Sequence, residues 1–161
     1  MLTAAQQDYI EVIYRLEQDA GDTGVRVTAI ADALGTRLPT VSRTVRKLAI
    51  LKLVTHDARR EVALTAGGRR IAREIVHRHE DLVRFFVLVL GLSENEAERD
   101  ACQIEHGLSG KASQRLHEFL EHVQQLTADK RRVVTGYLRT ASPKARDFEN
   151  LPDRRIDGWR K

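Results

Sequence analysis

The sequence is short of the residues that would settle several common questions. A single cysteine in 161 residues excludes an intramolecular disulfide framework and fits a reduced, cytoplasmic setting. No apolar run approaches the roughly 18 residues of a membrane span. The longest, "FFVLVLGL" at 85–92, is far too short. No signal-peptide pattern is visible at the start. Neither G-x-x-x-x-G-K-[ST] nor G-x-G-x-x-G occurs, so no nucleotide cradle is encoded. There is no internal repeat. A soluble chain of one domain or two small ones is expected, with 42% hydrophobic residues to build a core.

What is present is unevenly charged. The net charge is only +4, but residues 37–73 carry ten Lys/Arg against two acids, and residues 130–161 carry ten against four. Residues 1–36 and 74–129 are acidic, with two basic residues against six acids and five against eleven. A basic block between acidic ones suits a polyanion partner, although a solvated basic face would look the same.

Periodicity orders the elements. Residues 5–19 read as an amphipathic helix with Tyr9, Ile10, Ile13 and Leu16 as its stripe. "AGDTG" breaks it. Residues 28–34 form a short helix stopped by Gly35. Pro39 suits the first turn of the next helix, which runs to about residue 50 and buries Val41, Val45 and Leu48. "LVTH" and "EVALT" alternate like two strands, joined by "DARR" at 57–60 as a hairpin. Thr65 caps a long helix over 66–90, whose stripe is Ile71, Ile75, His79, Leu82, Phe86 and Leu90, and Gly91 ends it. Ser93 and Glu96 form a capping box for a helix over 93–107. Ser109 opens another, with Ala112, Leu116, Phe119, Leu120 and Val123 on its apolar face. A further helix is expected over 129–138, and a loose tail beyond Ser142.

Short helix, turn, second helix and hairpin is the order of a winged helix-turn-helix. Thr40, Ser42, Arg43, Arg46 and Lys47 lie off the buried stripe of the second helix and are free for a major groove. Arg59 and Arg60 at the hairpin tip suit phosphate or minor-groove contact.

The stretch "ACQIEHGLSG" at 101–110 raises a different chemistry. At helical spacing Cys102, Glu105 and His106 share an arc beside an apolar cluster of Ala97, Ala101, Ile104 and Leu108, so they sit half-buried at its border. Asp8 and Glu11 lie opposite the stripe of the first helix. His79 lies on the stripe of the long helix, whereas His77 shares the polar side with Arg73, Glu80, Asp81 and Arg84. Each has a plainer reading. Asp8 and Glu11 suit a helix N-terminus, and Glu11 pairs with Arg15. A lone His on a stripe is often a satisfied core residue, and a lone Cys a small hydrophobe. A catalytic Cys–His pair lacks an orienting group and an oxyanion motif.

Taken together, "QQDYIEVIYRLEQDAG", "VRVTAIADALGTRLPTVSRTVRKLAILKLV" and "EVALTAGGRRIAREIVHRHEDLVRFFVLVLGLSENEAERDACQIEHGLS" resemble the diphtheria toxin repressor family of metal-dependent transcriptional regulators over residues 3–125. The resemblance implies a mainly α fold. An N-terminal winged helix-turn-helix domain (1–72) is followed by an α-helical dimerisation and metal-binding domain (73–128). Residues 129–161 add a helix and a basic tail. It implies a cytoplasmic homodimer that binds a palindromic double-stranded operator when metal is bound, with no membrane partner, no small-molecule substrate and no enzymatic activity. Carried over by position, its metal ligands fall on Asp8, Glu11, His79, Cys102, Glu105 and His106. The candidate DNA contacts, read from the exposed side of the second helix, its start and the hairpin tip, are Arg37, Pro39, Thr40, Ser42, Arg43, Arg46, Lys47, Arg59 and Arg60.

The chain is a hybrid of the family's branches. Asp8, Glu11, His79 and the overall length resemble the two-domain manganese-type regulators, which have a glutamate where Cys102 stands. Cys102, Glu105 and His106 resemble the iron-type members. The acid and histidine of the iron-type ancillary site are replaced by Val83 and Glu98. Mn²⁺ is the expected ion and Fe²⁺ the alternative. A thiolate shifts preference toward softer Fe²⁺, Co²⁺ or Zn²⁺, and six ligands with bridging carboxylates accommodate one or two ions. Arg37 replaces a capping Ser, and "AILKLV" lacks the Gly usual before the wing. Two rival classes are a winged-helix thiol redox sensor using Cys102 without metal, and a metal-dependent enzyme in the helical domain.

Overall fold

Apolar spacing places the first elements where the sequence predicts them. The computed structural model describes residues 2–20, 24–56 and 61–140. Helix α1 (Ala4–Ala20) buries Tyr9, Ile10 and Ile13. Helix α2 (Val27–Ala33) buries Val27, Ile30 and Ala31. Helix α3 (Leu38–Ile50) buries Val41, Val45 and Leu48, with Pro39 in its first turn. Arg37 stands at its N-cap and makes no side-chain capping bond, as its side chain requires. Burying each of the Ile, Val and Leu side chains among these contributes about 1.5–3 kcal/mol.

The wing strands β2 (Val54–His56) and β3 (Glu61–Leu64) pair antiparallel, with Val54 opposite Leu64. The joining residues 57–60, with Arg59 and Arg60, lie outside the described residues. A third strand, β1 (Val25–Arg26), was not anticipated and pairs with β3, giving the order β1-β3-β2. Two residues are too few for an alternating pattern to show.

The turn between α3 and β2 closes as a glycine-capped turn would, but without the glycine. Lys52 has φ 57°, and the Lys52 and Leu53 N–H groups donate to the Ala49 and Leu48 carbonyls.

Helix α4 (Ala66–Phe85) starts at Thr65, whose hydroxyl accepts from the Gly68 N–H at 3.0 Å. A Cβ on Gly68 would lie 2.0 Å from the Leu53 carbonyl oxygen, so this helix start docks tightly on the wing. The long helix does not stay α to residue 90. Phe86–Leu90 form a π-turn, and Gly91 at φ 71° ends it. Periodicity does not separate these forms over one turn. Helix α5 (Glu94–Ile104) opens with the expected Ser93–Glu96 capping box, but it ends earlier than expected. Glu105–Gly107 form a 3₁₀ turn. Helices α6 (Gly110–Gln125) and α7 (Ala128–Thr140) follow.

The chain is therefore mainly α, a winged helix-turn-helix followed by a helical unit. Helix α4 links them, packing on α1 on one side and on α5 and α6 on the other.

Candidate metal centre and nucleic-acid interface

The ligand-type residues converge where α1, α4 and the α5 end meet. Two sets of three have donor atoms within 4.8 Å of one another: His79, Cys102 and Glu105, and Asp8, Glu105 and His106. Glu105 belongs to both. The 3₁₀ turn puts it there. Tightening the chain after Ile104 turns the Glu105 carboxylate into the protein, where it is 3% exposed rather than half-buried. The same change leaves Ile104 43% exposed, and Leu108 half-buried, instead of joining Ala97 and Ala101 in a closed cluster. Cys102 is exposed, not half-buried as the helical arc predicted.

His79 is buried, and both its ring nitrogens face carboxylates. Nδ1 is 2.9 Å from Glu105 Oε2 and Nε2 is 2.8 Å from Glu98 Oε2. Two donors require the imidazolium. The hydrogen bond to Glu105, then that to Glu98, overcome desolvation and push the His79 pKa up to about 9. His106 Nε2 donates to Asp8 Oδ1 at 2.6 Å, and its Nδ1 lies 3.2 Å from Gln7 Oε1. The Arg78 guanidinium donates to the Glu105 carbonyl at 3.1 Å, fixing the turn. Burial pushes the Cys102 thiol up, and the charges of Glu105, Glu11 and Glu98 push it further.

Of the six residues singled out, five are thus brought together. Glu11 is not: its Oε1 accepts from Arg15 Nη2 at 2.7 Å and Nε at 3.0 Å, and it belongs to neither set. Sequence reasoning missed Gln7, Arg78 and the role of Glu98. Glu98 carried a usable signal, because it shares a helix face with Cys102 at i+4 and Glu105 at i+7. Gln7 and Arg78 act only across the tertiary contact, and nothing local marks them. Asp81, assigned to the polar side of α4, is 6% exposed and lies against His117 at 3.0 Å, because α6 covers it.

This donor set fits a divalent cation. Carboxylates and imidazoles share a partly buried cleft, and one carboxylate is common to both sets. The basic face is equally well presented. Arg37, Pro39, Thr40, Arg43, Arg46 and Lys47 are exposed, and Ser42 is half-buried. Leu38, Pro39, Ser42, Arg46 and His56 line a groove running from α3 to the wing.

The chain is similar to known proteins in sequence and in fold. Residues 1–62 match the family model "Iron dependent repressor, N-terminal DNA binding domain", and residues 65–130 match "Iron dependent repressor, metal binding and dimerisation domain". The HTH-type transcriptional regulator MntR of Geobacillus kaustophilus (strain HTA426) is 36% identical over 133 residues, covering 83% of this chain and 90% of its own. The regulator of the same name from Bacillus subtilis (strain 168) is 32% identical over 131 residues, 81% and 90% of the two chains. Among solved structures, a manganese-dependent transcriptional repressor in complex with manganese superposes with a TM-score of 0.65 at 34% identity. That match covers 72% of this chain and 52% of the other, so the chain spans about half the length of that solved protein.

Proposed function

The chain belongs to the iron dependent repressor family, and from that premise we propose that it is a metal-dependent transcriptional repressor that binds operator DNA as a homodimer and is activated by Mn²⁺. The observation that carries this reading is the 2.6 Å contact between Asp8 of α1 and His106 of the turn after α5. It places a carboxylate from the DNA-reading half against an imidazole from the helical half.

When bound, a divalent ion supplies positive charge where these carboxylates meet. Asp8, Glu105, His106, His79 and Cys102 are the residues that would hold it, with Glu11 as a sixth. Asp8 and Glu11 belong to α1, which packs on α2 and α3. Fixing α1 against α4 and the Glu105–Gly107 turn therefore fixes the recognition helix relative to the dimerisation unit. In a two-fold dimer that sets the spacing of two recognition helices, which suits a palindromic operator. The size of the switch is the difference in ion affinity between DNA-competent and incompetent arrangements.

Carboxylates and imidazoles accept Mn²⁺, and the Mn²⁺ reading follows the named relatives. Cys102 makes Fe²⁺ the alternative, with Co²⁺ or Zn²⁺ as substitutes. Two donor sets sharing Glu105 allow one or two ions per chain. Exposed Leu88, Leu90, Ile104 and Phe119 in the helical half suit burial against a second copy. We assign residues 1–72 to DNA binding, 73–128 to dimerisation and metal, and the basic 129–161 to an added helix and tail. Family members are transcriptional regulators rather than enzymes. The rival reading, a thiol redox sensor using Cys102 without metal, would be favoured by metal-free operator binding that is lost on peroxide treatment.

The test is operator binding with Mn²⁺, with Fe²⁺ under anaerobic conditions, and with chelator. Metal is expected to raise affinity, and equal affinity in all three sinks the switch. Cys102→Glu is expected to move the ranking toward Mn²⁺. An unchanged ranking removes the thiol from the ion's contacts.

A further inference from the structure

Glu11 is the odd member of the centre, and Arg15 is the reason. The ion pair occupies Glu11 Oε1 twice over, from Nη2 and Nε of one guanidinium. The Glu11 side chain is 12% exposed, while Arg15 is 55% exposed, so the arginine reaches in from the rim. The charges of Glu98 and Glu80 also act on that guanidinium, and Arg15 in turn acts on the Cys102 thiol. A fixed positive charge thus stands at the Glu11 side of the cleft.

Arg15 cannot lose its proton in a protein, so it leaves Glu11 only by swinging into solvent and breaking its ion pair. Among the described residues, the carboxylates of Asp8 and Glu105 pair with histidines rather than with a guanidinium.

We propose that Arg15 is a tethered cation that holds Glu11 away from ion contact, separating uptake of a first divalent ion at Asp8, Glu105 and His106 from uptake of a second on the Glu11 side. The inference rests on the metal-binding reading above and refines it. Arg15 then sets the concentration at which the second ion enters, and a neutral residue there makes the two steps merge.

The experiment is a Mn²⁺ titration of the metal-free full chain, followed by calorimetry and by the electron paramagnetic resonance of bound Mn²⁺. It uses wild type, Arg15→Met, Arg15→Lys, Glu11→Gln and the Arg15→Met/Glu11→Gln double variant. Removing one positive charge a few ångströms from a divalent ion strengthens binding roughly tenfold. The second step is expected to tighten by about that factor in Arg15→Met, or to appear where wild type lacks it, with the first step changed by less than about twofold. Arg15→Lys is expected to stay near wild type. Glu11→Gln is expected to abolish the gain. Because Arg15 lies at the rim, Arg15→Met is expected to keep the wild-type melting temperature. An Arg15→Met isotherm that superimposes on wild type, tightening confined to the first step, or a gain that survives in the double variant overturns the inference. If wild type and every variant bind no Mn²⁺, the metal-binding reading itself falls.

Discussion

The two halves of the molecule are built to different standards of closure. The winged-helix half has a continuous aliphatic core running from Tyr9 to Ile75, with Ile10, Ile13, Ile30, Val41, Val45, Leu48 and Val62 fully buried. Its buried acid, Glu17, is matched by the Leu64 N–H at 2.7 Å and the Arg69 guanidinium at 2.6 Å. The helical half buries fewer apolar residues and more ionisable ones. His79, Asp81 and Glu105 are inside, while Leu88, Leu90, Ile104 and Phe119 are outside. Apolar exposure alone does not separate the halves, since Leu38, Ile50 and Leu51 of the first are also outside. What differs is the interior: aliphatic in the first half, and gathering charges that suit an ion in the second.

The largest expected effect probes the charge side of that contrast. Glu105→Gln keeps the size of the residue common to both donor sets but removes its charge. Mn²⁺ affinity is expected to fall at least about a hundredfold, beyond what loss of a ligand's supporting partner produces. The winged-helix core is expected to keep its circular dichroism. Unchanged ion affinity would remove Glu105 from the centre.

The next effect probes the apolar side. Leu88 is 42% exposed, and Leu88→Asp places a charge where a second copy would bury it. An unpaired buried charge weakens association by several kcal/mol. Analytical ultracentrifugation is expected to show monomer at micromolar concentration. A dimer of wild-type strength means that the subunits meet elsewhere.

A smaller effect follows from His79. Its pKa is raised from 6.5 to about 9 in the folded metal-free protein. The stabilisation it contributes is therefore complete below pH 6.5 and is lost as pH rises through about 9. Ion binding runs the opposite way, because the ion displaces that proton and gains affinity over the same range. The melting temperature of the chelated protein is expected to fall between these pH values by more than that of His79→Gln. Parallel curves would show that no proton is held there.

These predictions also mark what was legible. The stripe that carries His79, the spacing of Cys102, Glu105 and His106, and the α3 face were visible because each is a helical period. Burial of Glu105 and exposure of Cys102 were not. Glu105 turns inward at a change from α to 3₁₀ within one turn, and the side-chain pattern is the same for both over three residues, whereas Cys102 lies in α5 before that change and its exposure depends on what packs beside it. The burial of Asp81 depends on α6, and the Gln7–His106 contact spans 99 residues. No local rule reaches that far. Glu11 and Arg15 were read correctly as an i, i+4 pair, but their bearing on the ion site needs α4 and α5 beside them.

The smallest expected effect concerns the better-closed half, where one turn departs from its own standard. Helices α2 and α3 end alike, each with its last carbonyls closed by the two following N–H groups. After α2 the left-handed position is Gly35 at φ 58°, and after α3 it is Lys52 at φ 57°. A residue with a Cβ is strained there by about 1–2 kcal/mol, part of which a glycine returns through its freer unfolded chain. Lys52→Gly is therefore expected to raise stability by about 0.5–1 kcal/mol in urea unfolding. A lysine kept under strain beside the wing suggests a use in phosphate contact. If so, the same variant also lowers operator affinity and reduces the slope of log K against log salt by about 0.9. Gained stability with an unchanged salt slope would show the strain without that use. Unchanged stability would show that this half has no weak turn.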